Sequence, residues 1–206
     1  MGVKRSAARA LFVLLCSALL SHCLADDFVI LEKRAWPKAR ACDTCVPVQF
    51  GQLDMRLPLA EIGKILVMNS DSSALTILPP SGSAKESVLF LTVRPERLLK
   101  DFERAGLLGG LDINTNEQLF DALGKAPDNK NLAMLRKIMG IDVAVRYVKW
   151  SNDRVRVYWI QSPLPGGSQN VYFVVKGDDI VYLLAGNVTR QFLDAVLANL
   201  EISEIP

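Results

Sequence analysis

The stretch that decides the fold is "VAVRYVKWSNDRVRVYWIQSPLPGGSQNVYFVVKGDDIVYLLAG", residues 143–186. It contains four runs rich in β-branched and aromatic residues, separated by turn-forming residues at 151–153, 162–168 and 177–179. Runs of this composition, bounded by Gly, Pro, Asn, Asp and Ser, are typical of hairpin strands. The stretch therefore predicts an antiparallel meander of four strands.

The faces of the predicted strands require cover. In the second strand Val155, Val157 and Trp159 alternate with polar or charged neighbours, which predicts one buried face. The third and fourth strands are apolar on both faces, so helices or a partner must cover both. A last helix, capped by Thr189, can supply part of this cover through apolar residues at helical spacing, namely Phe192, Leu193, Val196, Leu197 and Leu200.

Upstream of the meander, extended and helical patterns alternate. We predict strands at 47–57, 74–78 and 87–93, a helix at Leu59–Leu66, and further helices after Pro95, from a capping box at Thr115 and Gln118, and after a cap at Asp128. The order of elements predicts an α+β fold, in which a mainly antiparallel sheet packs against helices. We expect a single sandwich-like domain that spans residues 47–206.

Two segments, "FGQLDMRLP" at 50–58 and "VYFVVKGDDIVYLLAG" at 171–186, are followed by the predicted closing helix. In outline this order resembles that of PsbP-like domains. The resemblance implies an antiparallel sheet that lies between helices. It is a likeness of fold and carries no function with it.

The N-terminus predicts export. Lys4, Arg5 and Arg9 precede an apolar run at residues 10–20, which ends near the small residue Ala25. This pattern is typical of a secretory signal peptide, here residues 1–25, and the run is shorter than the roughly 20 residues that cross a bilayer. An alternative is a lipid anchor at Cys23. We expect a periplasmic or secreted protein, with no transmembrane segment after cleavage.

Cleavage after Ala25 leaves 21 basic and 22 acidic residues and removes His22, the one histidine of the chain. A nearly neutral chain argues against nucleic-acid binding. Hydrolases that use imidazole as a base and zinc sites that use it as a ligand are excluded. Phosphate-binding glycine motifs are absent from the sequence. We therefore expect no cofactor and no metal site, and the sequence identifies no catalytic residue.

Residues 26–46 are predicted to form an irregular arm. This arm contains Cys42 and Cys45, the two cysteines of the sequence that remain after cleavage at Ala25. Their C-x-x-C spacing is that of redox motifs, but such motifs begin a helix, whereas Pro47 and its β-prone neighbours predict a strand. In an oxidising compartment the pair should close into a disulfide. The sequence favours a structural disulfide and leaves open a redox pair or a metal clip shared between subunits.

These observations predict a non-enzymatic binding or assembly module of the bacterial envelope, whose partner is a protein or another envelope component. The candidate contact residues are Leu164 and Pro165 in the long hairpin loop, and Trp36 in the arm. Two alternatives are a thiol–disulfide protein that uses Cys42 and Cys45, and a small-ligand carrier or inhibitor. A carrier would need a pocket lined by aromatic residues, for which the candidates are Tyr147, Trp150, Tyr158, Trp159 and Tyr172.

Overall fold

The computed structural model describes residues 28–68, 73–93, 98–164 and 168–203. The predicted signal peptide with Cys23, and Pro165 in the hairpin loop, lie outside these residues. The described strands are β1 Leu31–Arg34, β2 Cys45–Phe50, β3 Leu53–Pro58, β4 Lys64–Met68, β5 Ala74–Leu78, β6 Val88–Val93, β7 Arg146–Ser151, β8 Val155–Gln161, β9 Gln169–Val175, β10 Val181–Gly186 and β11 Glu201–Ile202. The described helices are α1 Leu99–Arg104, α2 Asn116–Leu123, α3 Lys130–Ile138 and α4 Arg190–Ala198, with short 3-10 helices at Leu59–Glu61 and Ala84–Glu86.

The strands form two sheets. The large sheet has eight strands in the order β1-β7-β8-β9-β10-β6-β5-β4, and the small sheet has the order β11-β3-β2. The predicted meander is confirmed, because β7, β8, β9 and β10 are antiparallel neighbours in sequence order. The large sheet is mixed, since β1 joins β7 in parallel. The fold is therefore mixed α/β with sheet dominant, and the sandwich-like arrangement stays a prediction.

Each face of the large sheet contributes to a separate hydrophobic core. One core joins the sheet to β2, β3 and α4 through residues that include Phe90, Trp150, Leu184 and Leu193. The other core joins the sheet to α2 and α3 through residues that include Phe120. We call the two sides of the sheet the α4 face and the helix-layer face. The meander is apolar on both sides because it serves both cores.

The structure corrects two predictions made for residues 47–66. The single strand predicted at 47–57 is the hairpin of β2 and β3, which turns at Gly51 with a φ of 58°. The helix predicted at Leu59–Leu66 is wrong: a 3-10 turn covers Leu59–Glu61, and β4 follows. The β-branched residues Ile65 and Val67 favour a strand, and pairing with β5 provides the hydrogen bonds that a helix would have made internally.

Residues 26–46, predicted to be irregular, contain a short strand. β1 is held by its parallel pairing with β7, a long-range contact that local composition does not reveal. Among the predicted caps, the capping box of Thr115 and Gln118 and the Thr189 cap of α4 are confirmed. The cap of α3 is Asn129 and not Asp128, since the Asn129 side chain accepts a hydrogen bond from the Leu132 amide.

Candidate functional site

Cys42 and Cys45 lie in contact at the start of β2. Their Cα atoms are 5.4 Å apart, within the range that a disulfide spans. The amide of Cys45 donates to the carbonyl of Cys42 in a tight turn, and no helix begins at either residue. The pair therefore lacks the helix N-terminus that lowers the pKa of the reactive thiol in C-x-x-C oxidoreductases.

The two cysteines form part of the wall of a cleft of about 620 Å³ beside α4. Phe192, Ala195 and Ala198 on that helix also line the cleft. The backbone around the pair is also held independently of the sulfurs, since the Leu59 amide donates to the Thr44 carbonyl at 2.9 Å. The arrangement places a half-buried pair of cysteines next to a partly apolar groove.

The predicted contact residues lie in different parts of the fold. Trp36 is half-buried against the core beneath the α4 face, where its indole N–H donates to the Leu197 carbonyl at 3.1 Å. Leu164 is 67% exposed in the loop after β8. Nothing described brings the two together into one surface.

The aromatic residues considered for a ligand pocket are core residues. Trp150 and Trp159 stack in the core on the α4 face, with ring centroids 6.3 Å apart. Tyr147 and Tyr158 are buried in the other core, and Tyr172 packs against it, where burial raises the pKa of its hydroxyl to about 12. These side chains fill space between the sheet and its helices.

A partly buried polar cluster lies between α2 and the sheet. The Lys149 ammonium lies 2.7 Å from an Asp121 carboxylate oxygen, which also accepts from the Tyr158 hydroxyl at 2.9 Å. Glu117 accepts from Arg156 at 3.0 Å. Burial, and then the charge of Asp121, raise the pKa of Tyr158 far above its usual range. The opposite charges neutralise one another, so the cluster fastens α2 to the sheet.

The helices that the structure describes cover the helix-layer face of the large sheet over only part of its width. Val93 and Val181 pack against the helix-layer core, so residues that alternate with them in β6 and β10 share that face. Their cross-strand partners in β5 and β4 extend it to the edge of the sheet. We call this area the open half; its side chains are Leu66, Met68, Ala74, Thr76, Leu78, Leu89, Leu91, Leu183 and Ala185, and Lys64, the register partner of Leu78, lies on the same face at its border.

The open half is mainly apolar and only partly buried. Except for Ala74, its side chains are half-buried or exposed, and its leucines and Met68 belong to neither hydrophobic core. The strand register aligns them in rows across the sheet, so that Leu183 neighbours Leu91, Leu91 neighbours Ala74, and Ala74 neighbours Met68. A contiguous apolar area of this kind marks an interaction surface more often than a scattering of single exposed side chains does.

The two edges of the large sheet differ in chemistry. At the β1 edge Glu32 pairs with Arg34 at 2.6 Å and with Arg146 at 3.0 Å, and such charges discourage pairing with another strand. Hydrogen bonding by Arg34 lowers the pKa of Glu32 and keeps it charged. At the β4 edge Leu66, Val67 and Met68 are 40%, 72% and 53% exposed. These three residues are uncharged, and Lys64 at the start of β4 is the one charged residue of the strand.

Among the described residues, no three Cys, Asp or Glu side chains come together as they would to hold a metal ion. None of the described helices has the length and apolar character needed to cross a bilayer. A comparison with models of known protein families finds no match, and a search of curated proteins finds no similar sequence.

Sequence reasoning missed the open half, although a signal for its edge strand was present. Ile65 and Val67 are β-branched residues in an apolar run that favours a strand. The helix predicted at Leu59–Leu66 overlaps β4, so the prediction lacked the edge strand that completes this surface.

Replacing Tyr158 with Phe should destabilise the protein by about 1 kcal/mol, because Asp121 loses a hydrogen-bond donor. Urea unfolding measures the change. Tyr172→Phe is the control, since its hydroxyl has no hydrogen bond to a described residue, and it should cost less than about 0.5 kcal/mol. Equal losses in the two variants would contradict the role assigned to the polar cluster.

Proposed function

We propose that this protein is an exported, non-enzymatic assembly module that binds a partner polypeptide through the open half of its sheet. The observation that carries the proposal is the set of leucines on β5, β6 and β10 that belong to neither core and that no described helix covers. Burying these side chains against a partner would release water from apolar surface, which is the main driving force of protein association.

The shape and chemistry of the surface favour a polypeptide partner over a small ligand. The open half is a sheet face and not a cavity, and it is bordered by Lys64 at the start of β4. On the neighbouring part of the same face, amphipathic helices pack through Leu119 and Leu135. An amphipathic segment with a comparable apolar stripe would meet the open half in the same way.

Export is supported by the N-terminal sequence and by the cysteines. The basic residues and apolar run of residues 1–25 have the pattern of a cleaved signal peptide. Contact between Cys42 and Cys45 suits an oxidising compartment, in which we propose that they form a disulfide. We place the protein in the periplasm or outside the cell, with a lipid anchor at Cys23 as the alternative.

Site-specific photo-crosslinking tests the assembly function. A benzophenone amino acid in place of Met68, on the open half, should crosslink to a polypeptide in cells that make the protein. The matched control is the same replacement at Met134 on α3, a methionine that is 48% exposed against 53% for Met68. We expect an adduct at position 68 and none at position 134. No adduct at 68, or equal adducts at both positions, would contradict the proposal.

The cleft beside Cys42 and Cys45 favours a second candidate function, thiol–disulfide exchange with a polypeptide. In that reaction a substrate dithiol would give up two protons and two electrons, forming its own disulfide while the Cys42–Cys45 disulfide is reduced to two thiols. The partly apolar wall formed by Phe192, Ala195 and Ala198 is suited to hold the substrate chain. The absence of a helix start at Cys42 weighs against a strongly activated thiol.

The reduction potential of the pair separates the two roles. A structural disulfide should have a potential below about −300 mV, whereas redox-active pairs lie between about −270 and −120 mV. We expect the lower value, measured by equilibration of the native protein with dithiol buffers. A potential in the higher range would favour exchange chemistry.

We also expect the double variant, Cys42→Ser combined with Cys45→Ser, to fold with a modest loss of stability, since the closed loop is short.

A further inference from the structure

The hydrogen-bond pattern of the large sheet shows which backbone groups of β4 point away from β5, toward the open edge of the sheet. The Asn187 amide donates to the Ser87 carbonyl, next to the end of β10, and the Thr92 amide donates to Ser73, next to the start of β5. Bonding residues alternate between the two sides of an antiparallel strand. On β5 this alternation directs the backbone groups of Thr76 toward β4.

Thr76 is the register partner of Leu66 at the centre of β4. The backbone N–H and C=O of Leu66 are therefore bonded to β5. Its neighbours Ile65 and Val67 have the opposite orientation, so their N–H and C=O groups point toward the open edge of the sheet. Of the apolar residues in β4, Val67 is also the most exposed.

We propose that β4 binds a second copy of this chain, strand to strand and antiparallel, about a two-fold axis at Leu66. This inference rests on the proposed assembly function, and it adds a contact at the edge of the open half that leaves that face free for a further partner. In this register Ile65 lies opposite the partner's Val67, and these residues exchange both of their outward-pointing backbone hydrogen bonds. Leu66 lies opposite the partner's Leu66, so the pairing is self-complementary.

The side chains of β4 suit this pairing. Its five residues, "KILVM", include a single charge, Lys64, and no acid. The register places Lys64 opposite the partner's Met68, so the two ammonium groups are separated along the strands by about 14 Å. That distance exceeds the Debye length of about 8 Å at physiological salt. The β1 edge is less suited to pairing with a copy of itself, because Glu32, Arg34 and Arg146 place charged side chains there.

Pairing about Leu66 also extends the binding surface. Side chains directly opposite one another in neighbouring strands point to the same face of a sheet. The open halves of the two copies would thus lie side by side and form one apolar surface. An interface of five residues from each chain is small beside the roughly 20–30 that a stable interface uses, so the dimer should be weak and concentration-dependent.

Amide hydrogen exchange of the native protein, recorded at low and high concentration, tests this pairing without any substitution. At high concentration the amides of Ile65 and Val67 should exchange several-fold more slowly, because the partner strand bonds them. The Leu66 amide, already bonded to β5, should be protected at both concentrations. Unchanged exchange at Ile65 and Val67 while sedimentation shows only monomer would overturn the inference.

Two variants at one position provide the matched comparison. Val67→Pro removes an outward-pointing N–H, a change that edge strands tolerate, and should leave only monomer in sedimentation at all concentrations. Val67→Thr keeps the N–H and a β-branched side chain, and should still dimerise. A dimer that persists in the proline variant, or one lost equally in both folded variants, would overturn pairing through the β4 backbone.

The mass of the Met68 crosslink distinguishes this inference from the function on which it rests. An adduct with the mass of two chains supports self-pairing. An adduct with a different protein, together with unchanged exchange at Ile65 and Val67, overturns self-pairing and leaves the assembly function in place. The lack of any specific adduct at Met68 overturns the assembly function itself.

Discussion

The structure depends on one constraint: a wide sheet needs apolar cover on both faces. The meander of β7, β8, β9 and β10 has buried residues on each side, and it stays ordered because β2, β3 and α4 cover one face while α2 and α3 cover the other. The strands β6, β5 and β4 extend the same sheet. On β6 and β5 the α4 face is covered through Phe90, Ile77 and Leu75, whereas none of the described helices covers the helix-layer face of these strands. The proposed function follows from this imbalance.

The meander and two of the four described helix caps could be predicted from sequence because local chemistry determines them. Asn152 and Gly177 mark turns, and Thr115 and Thr189 cap helices through contacts a few residues away. β1 and β4 could not be predicted in this way. Both are short edge strands whose hydrogen bonds come from partners distant in sequence, so their own composition does not decide between helix, strand and irregular chain.

The candidate surface was harder to predict than the fold. Leu89, Leu91 and Leu183 have the same sequence pattern as buried strand residues, and only the extent of the helix layer distinguishes them from the core. The reverse holds for Trp36, which looks in the sequence like an exposed contact but packs on the core. Which apolar residues stay accessible is a property of the assembled layers and not of any local pattern.

The central claim is that the native protein leaves the open half accessible to solvent. Methyl NMR with a soluble paramagnetic agent tests it most directly, because relaxation by the agent reports how closely it approaches each methyl group. At low protein concentration the methyls of Leu89, Leu91 and Leu183 should relax much faster than those of Leu184 and Leu193 in the α4-face core. Equal protection of the two sets would contradict the account, since it would show that the open half is covered within a single chain.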